Sequence, residues 1–397
     1  MNEAAAGGGA AAPAARTEGS APGPDRRTPG ESAVRVADTR PLRFAALRAE
    51  MVSLGLDAML VTEARNARYL TGFSGSSGIL IVTREDAALI TDFRYRTQAR
   101  AEVGTTARVE IEGTSLWTRV WSLLPRFGDV THVGFDTVHL THADYQRLMD
   151  AGARWQWRPT TGVVEGLRTR KDAGELAHIR RAVEIAEGAL AATIGEIHAG
   201  MTEFDVGARL ERALRERGSE AHPFETIVAG GERSALPHAR CSGRTLRRGD
   251  LLIVDFGATS GGYCSDITRT FAIGAATSEQ RDVYDVVREA NATASAGVRA
   301  GMRGSDADAL AREYIERLGL GAEFGHSLGH GIGLDVHEAP RLAKTADAPL
   351  PLGSVVTIEP GVYREGWGGV RIEDDVFLGA DGPTVLTSFE RALIELS

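Results

Sequence analysis

The second half of the chain repeats its own pattern. Ala199-Gly200-Met201 opens a helix-patterned stretch running to Gly218, and Ala300-Gly301-Met302, 101 positions later, opens another running to Gly319. Each is followed by an apolar strand bounded by glycine: Gly249 to Gly257, carrying Asp255, and Gly353 to Gly361, carrying Glu359. Such a repeat points to two similar halves that stack on one another. A carboxylate at the end of an otherwise apolar strand is costly to bury unless it is paired or binds a metal. Its recurrence at equivalent positions favours a single site shared by the halves.

A second carboxylate accompanies each strand. Asp266 lies eleven residues after Asp255 across Gly257, Gly261 and Gly262, and Glu373 follows Glu359 across Gly361, Gly366, Gly368 and Gly369. The glycines allow a hairpin that returns the second acid to the side of the first. Four converging carboxylates repel one another unless divalent cations neutralise them. The stretch from Gly325 to Glu338 adds His326, His330 and His337, among four glycines that permit close backbone approach.

The rest of the chain supplies a second domain. At 397 residues there is room for two cores. From Pro41 to Leu56 apolar residues recur at helical spacing, and strand patterns follow at Asp57–Glu63, Gly78–Thr83, Ala87–Asp92, Arg108–Glu112 and His132–Asp136. Strand character stops near Leu167, where a helix running from about Asp172 to His198 takes over. The division expected is therefore a disordered Ala/Gly/Pro-rich tail over 1–38, an α/β domain over 39–167 and a second domain over 168–397 that carries the paired acids and the histidines.

Composition excludes several functions. No apolar run approaches a membrane span, and a formal net charge of -9 argues against a nucleic-acid partner. The N-terminus lacks the pattern of a secretory signal, so a cytoplasmic location is expected. The two cysteines, Cys241 and Cys264, are too few for a disulfide framework and are read as reduced thiols. Trp155 and Trp157 are read as strand residues packing near the domain junction, and His222 as solvent-exposed.

The segments PHAR (237–240), DFGATSGGYCSDITRT, GHSLGHGIGLDVHE, TIEPGVY and GGVRIEDD resemble the motifs of the pita-bread metallopeptidases, in order, over most of residues 170–397. Within that family the chain most resembles the Xaa-Pro aminopeptidases and the related Xaa-Pro dipeptidases. The fold implied is a creatinase-like, ribonuclease H-like α/β N-terminal domain followed by an α+β pita-bread domain of two pseudo-symmetric halves. YLTGFSGSSG (69–78) and ITDFRY (90–95) resemble the segment preceding aminopeptidase-type catalytic domains and tilt the expectation toward aminopeptidase, with dipeptidase as the alternative.

The resemblance implies that Asp255 and Asp266 bind one metal, that His330 binds the other, and that Asp266, Glu359 and Glu373 help hold or bridge the pair. It also implies catalytic or substrate-facing roles for His238, His326 and His337, with His337 suited to an oxyanion. Arg371 is expected to bind the substrate backbone or carboxylate, and Glu359 to shuttle a proton. The reaction implied is hydrolysis of the bond before proline by a hydroxide held between two ions, releasing the N-terminal residue of a peptide with proline in second position. Manganese suits an oxygen-rich set with one imidazole, with cobalt, zinc or iron as alternatives. Relatives associate, so a homodimer or higher homo-oligomer is expected. A metal-free creatinase-like enzyme or a non-enzymatic scaffold of this fold would have lost ligand positions, and all five are present. Methionine aminopeptidase normally lacks a large N-terminal domain.

Overall fold

A computed structural model describes residues 37–151 and 154–397. The tail expected over 1–38 therefore lies, up to Val36, outside the described residues. The first helix, Arg40–Ser53, buries Phe44, Leu47 and Met51, the three- and four-residue spacing that places side chains on one face. Six strands follow: β1 (Ala58–Val61), β2 (Ile79–Thr83), β3 (Ala87–Asp92), β4 (Arg108–Glu112), β5 (His132–Asp136) and β6 (Gln156–Thr160). They form one mixed sheet in the order β4-β3-β2-β1-β5-β6, with β2 antiparallel to both neighbours and the outer pairs parallel.

Successive strand residues point to opposite faces, so the apolar runs of β1 to β3 feed two cores. Met59, Val61, Leu80, Val82 and Leu89 join a cluster that also contains Tyr263, Cys264, Ile332 and Val355 of the second half. Their neighbours Ala58, Leu60, Ile79, Ile81 and Ile90 join a cluster drawn only from the first half. Trp155 and Trp157 belong to this second cluster, where they pack around Trp121 at ring separations of 6.0 and 5.9 Å. Trp157 lies in β6 and Trp155 just before it, and both pack on the face away from the second half rather than near the junction, where the sequence suggests them.

The crossing into the second half is held by polar contacts. Asp172 caps the helix Ala173–Ile194 in a reciprocal capping box with Glu175, which satisfies backbone N–H groups left unpaired at a helix start. The same Asp172 carboxylate accepts hydrogen bonds from Thr39, just before the first helix, and from Arg43 within it, at 2.7 and 2.6 Å.

The second half contains β7 (Ile227–Gly230), β8 (Leu251–Phe256), the short pair β9 (Thr259–Ser260) and β10 (Tyr263–Cys264), and β11 (Ile267–Ile273). It continues with β12 (Gly329–Gly331), β13 (Glu338–Leu342), β14 (Val355–Ile358), β15 (Gly361–Arg364), β16 (Gly368–Arg371), β17 (Asp374–Gly379), β18 (Gly382–Val385) and β19 (Glu395–Leu396). One sheet runs β19-β11-β8-β7 and the other β13-β12-β14-β17-β18. The repeat is visible as two antiparallel ladders, β8 with β11 and β14 with β17, each interrupted by a two-stranded hairpin, β9-β10 or β15-β16.

Helices Ala173–Ile194 and Glu203–Glu216 bury apolar faces on the first sheet, and Ser278–Gly297 and Gly304–Arg317 on the second. Three of these four starts are capping boxes, on Asp172, Thr202 and Thr277. Among the described residues no helix is long and apolar enough to cross a membrane.

Candidate metal centre

The two ladders deliver the four carboxylates to one place. Asp255 is the penultimate residue of β8, directly opposite Thr268 of β11, and Asp266 lies just before β11 begins. In the second ladder Glu359 follows β14 and Glu373 precedes β17, where Ile358 and Asp374 are partners. His330 is the central residue of β12, which pairs with both β13 and β14. This strand needs its glycines: a Cβ on Gly329 would lie 2.0 Å from the Thr357 carbonyl oxygen, and one on Gly331 would lie 2.2 Å from that of Ala339.

All nine residues singled out in the sequence line one cavity of about 700 Å³: His238, Asp255, Asp266, His326, His330, His337, Glu359, Arg371 and Glu373. His330 Nε2 lies 3.4 Å from a Glu359 oxygen and 3.8 Å from an Asp266 oxygen. Donor atoms of Asp266, His330 and Glu373 all lie within 4.8 Å of one another. The His337 ring sits edge-on to His330 with centroids 4.3 Å apart, and His238 is exposed at the cavity wall.

The electrostatics fit a cation pair. Burial, followed by the charges of Glu373, Asp255 and Glu359, holds the Asp266 carboxyl well above the usual carboxylate range. Burial and the Glu359 charge do the same to Glu373, and burial lifts Glu359 to about 8. Oδ1 of Asp255 and Oδ1 of Asp266 are buried with no hydrogen-bond partner among the described residues. Orphaned acceptors and mutually repelling acids are what a bound divalent ion relieves. Burial lowers His330 to about 4, so its imidazole is neutral and able to ligate. The donor set of carboxylates and one imidazole fits two divalent ions.

Several supporting residues had gone unnoticed in the sequence. Thr268 donates to Glu373 at 2.6 Å and Thr357 to Glu359 at 3.3 Å, fixing how those carboxylates face the cavity. Thr268 sits two residues beyond Asp266 on an alternating strand, a weak signal that it shares a face. Tyr363 links His326 to Arg371: its hydroxyl lies 3.0 Å from His326 Nε2 and accepts from an Arg371 nitrogen at 2.8 Å. Burial holds His326 near 4, so it acts as a neutral group.

Arg371 differs from expectation. It is 3% exposed, and its guanidinium is committed to Asp255 at 2.6 Å, to Thr268 and to Tyr363, which leaves little of it for a substrate carboxylate. Arg341, which no sequence motif marks, lines the same cavity, faces His330 across the β12–β13 ladder, and has no ion pair among the described residues. His222 is half-buried rather than exposed because Pro223 and its neighbours pack down beside the ladder, where Gly257 closely approaches Pro223. Burial pushes the Cys264 thiol up to about 12, which removes it as a nucleophile.

Residues 177–380 match metallopeptidase family M24, and residues 43–170 match the creatinase/prolidase N-terminal domain. The chain belongs to metallopeptidase family M24. This M24 chain is 34% identical over 340 residues to a Xaa-Pro dipeptidase of Pyrococcus horikoshii, covering 85% of this chain and 95% of that protein. Two solved structures superimpose closely on the M24 fold described above. A Xaa-Pro dipeptidase from Bacillus anthracis matches with a TM-score of 0.87 at 38% identity, over 90% of this chain and 100% of that one. An X-Pro aminopeptidase from Thermotoga maritima matches with a TM-score of 0.83 at 36% identity, over 89% and 99%. The pita-bread architecture and the creatinase-type N-terminal domain expected from the motifs are thereby established.

Proposed function

We propose that this M24 peptidase is a Xaa-Pro dipeptidase. The observation that carries the reading is Arg341, a guanidinium on the cavity wall opposite His330 and unclaimed by any carboxylate among the described residues. A dipeptide brings its C-terminal carboxylate to within one residue of the scissile bond, where such a cation binds it. A longer peptide places a neutral amide there. The dipeptidase names of the Pyrococcus horikoshii and Bacillus anthracis relatives support the same choice.

In this proposal Asp255, Asp266, His330, Glu359 and Glu373 hold two divalent ions, with manganese favoured by the oxygen-rich donors. Bound there, the ions supply Lewis acidity and make water a nucleophile at neutral pH. Glu359, ionised when it ligates, relays a proton toward the leaving imino nitrogen of proline. His337, beside His330, donates to the developing oxyanion. His238 and His326 line the substrate side, and Arg371 orients Asp255. Residues 39–167 form the N-terminal domain and 168–397 carry the chemistry.

Release of the first residue from longer Xaa-Pro peptides is the second reading, supported by the YLTGFSGSSG and ITDFRY segments and by the Thermotoga maritima relative. The deciding experiment compares Ala-Pro with Ala-Pro-Ala on metal-stripped enzyme reloaded with Mn²⁺. Turnover of the dipeptide alone, with a KM raised at least 10-fold by Arg341→Ala, is the expected result. Equal or faster cleavage of the tripeptide, unaffected by that substitution, overturns the dipeptidase reading.

A further inference from the structure

A second set of metal-ligating side chains lies in the first half of the molecule, and none of them lines the catalytic cavity. Asp136 ends β5, His139 follows three residues later in the turn, and Glu165 stands on the short helix Val163–Arg168. One donor atom from each lies within 4.8 Å of the other two. His139 Nε2 is 3.2 Å from a Glu165 oxygen and 3.8 Å from Asp136 Oδ2.

Asp136 is what makes this more than an acidic surface patch. The residue is only 6% exposed, and its two oxygens are treated differently. Oδ1 accepts the Val138 backbone N–H at 3.0 Å, the ordinary role of an aspartate opening a turn. Oδ2 is buried with no hydrogen-bond partner among the described residues, and it is the oxygen directed at His139. A buried carboxylate oxygen left unpaired is costly, and a coordinated cation removes the cost.

We propose that Asp136, His139 and Glu165 form a second, non-catalytic site for a divalent transition-metal ion of the zinc type. Aspartate, glutamate and histidine side chains are all zinc donors, and three of them with one water complete a four-coordinate shell. Tetrahedral bonds of about 2.0 to 2.1 Å set ligand atoms about 3.3 Å apart, and the 3.2 and 3.8 Å separations bracket that value. The ion would tie the end of β5 to the helix entering the catalytic half. Glu165 also accepts from Asn66 at 2.6 Å, and Asn66 in turn accepts from Arg168 at 2.8 Å, so the carboxylate is already held in place.

The test is equilibrium dialysis of the full chain, with its catalytic centre loaded, against Zn²⁺ alone, followed by metal counting per chain. Wild type is compared with His139→Ala, a change at a side chain 37% exposed, and with Asp136→Asn, which keeps the Oδ1 acceptor. The expected result is one equivalent of zinc fewer in each variant, with peptide hydrolysis by the manganese-loaded enzyme unchanged. An equal zinc content in wild type and His139→Ala would overturn the proposal and leave the three side chains as an ion-paired cluster. Because hydrolysis is read separately, this outcome is independent of the catalytic assignment.

Discussion

Arg371 places a guanidinium nitrogen 2.6 Å from Asp255 Oδ2 at the floor of the cavity, joining two residues 116 positions apart in the chain. The same side chain donates to Tyr363 and Thr268, so a single cation orders one proposed metal ligand, the hydroxyl that holds Glu373 and the hydroxyl bonded to His326. Arg371→Lys keeps the charge and loses the planar fork. It is expected to lower kcat about 100-fold, as misplacement by about 1 Å does, with the fold retained by circular dichroism. Arg371→Met leaves buried acids without their cation, and should cost the metal-free protein about 3 to 5 kcal/mol in chemical unfolding.

Metal loading should release protons. Asp266, Glu359 and Glu373 all bind protons more tightly than ordinary carboxyls, Glu359 up to about 8, and a ligand must be deprotonated. Affinity for Mn²⁺ is therefore expected to rise with pH as these carboxyls ionise, Glu359 near 8. Calorimetric titrations in two buffers of different ionisation enthalpy read the released protons directly. Chelation should abolish hydrolysis, and Asp266→Ala or Glu373→Ala should abolish it with the protein still folded; unchanged turnover on a Xaa-Pro peptide would sink the assignment.

His337 and its neighbour Glu338 separate chemistry from support. His337→Ala should reduce turnover far more than metal content, since the side chain stands beside the ligands. Glu338 is clamped by Lys171 at 2.5 Å and Arg168 at 2.7 Å, both buried, where the junction meets β13. Glu338→Gln leaves the buried Lys171 without its carboxylate while Arg168 keeps Asp335, and should destabilise the fold by about 3 kcal/mol. Thermal melts should therefore show a loss for Glu338→Gln and little for His337→Ala, whose loss is in rate.

Glu175, far from the cavity, gives the fold a pH dependence of its own. Burial outweighs the nearby Arg43 and lifts this carboxyl from 4.5 to about 7. The native state thus binds more protons than the unfolded chain between those values, so the contribution of this group is greatest at acid pH. It falls as pH rises through the window and is flat above about 7. The full effect is about 3 kcal/mol. Glu175→Gln should flatten that part of the melting-temperature profile; a profile identical to wild type would show that the group titrates normally.

Much of the fold follows local rules that can be read along the chain. The strands expected at Arg108–Glu112 and His132–Asp136 appear with those bounds, because short apolar alternation ended by turn residues specifies a strand almost alone. The helix expected to start near Asp172 does so because the cap and its Glu175 partner are both local. The side-chain partnerships were not legible. Thr268 and Glu373 are 105 positions apart and meet only because two ladders lie side by side. The tryptophans lie away from the junction expected for them for a similar reason: only sheet order says which face they reach.

The sequence by itself determined the chemistry available. Its repeat places a carboxylate on each of two apolar strands and a second acid after each hairpin, and burying four such groups demands cations wherever they converge. Only the tertiary structure decided how the positive side chains are divided among them. Pairing between strands far apart in the chain gave Arg371 to Asp255 and left Arg341 facing the cavity opposite His330. A charge declares its sign in the sequence, but its partner is chosen by distances of a few ångströms that exist only after folding.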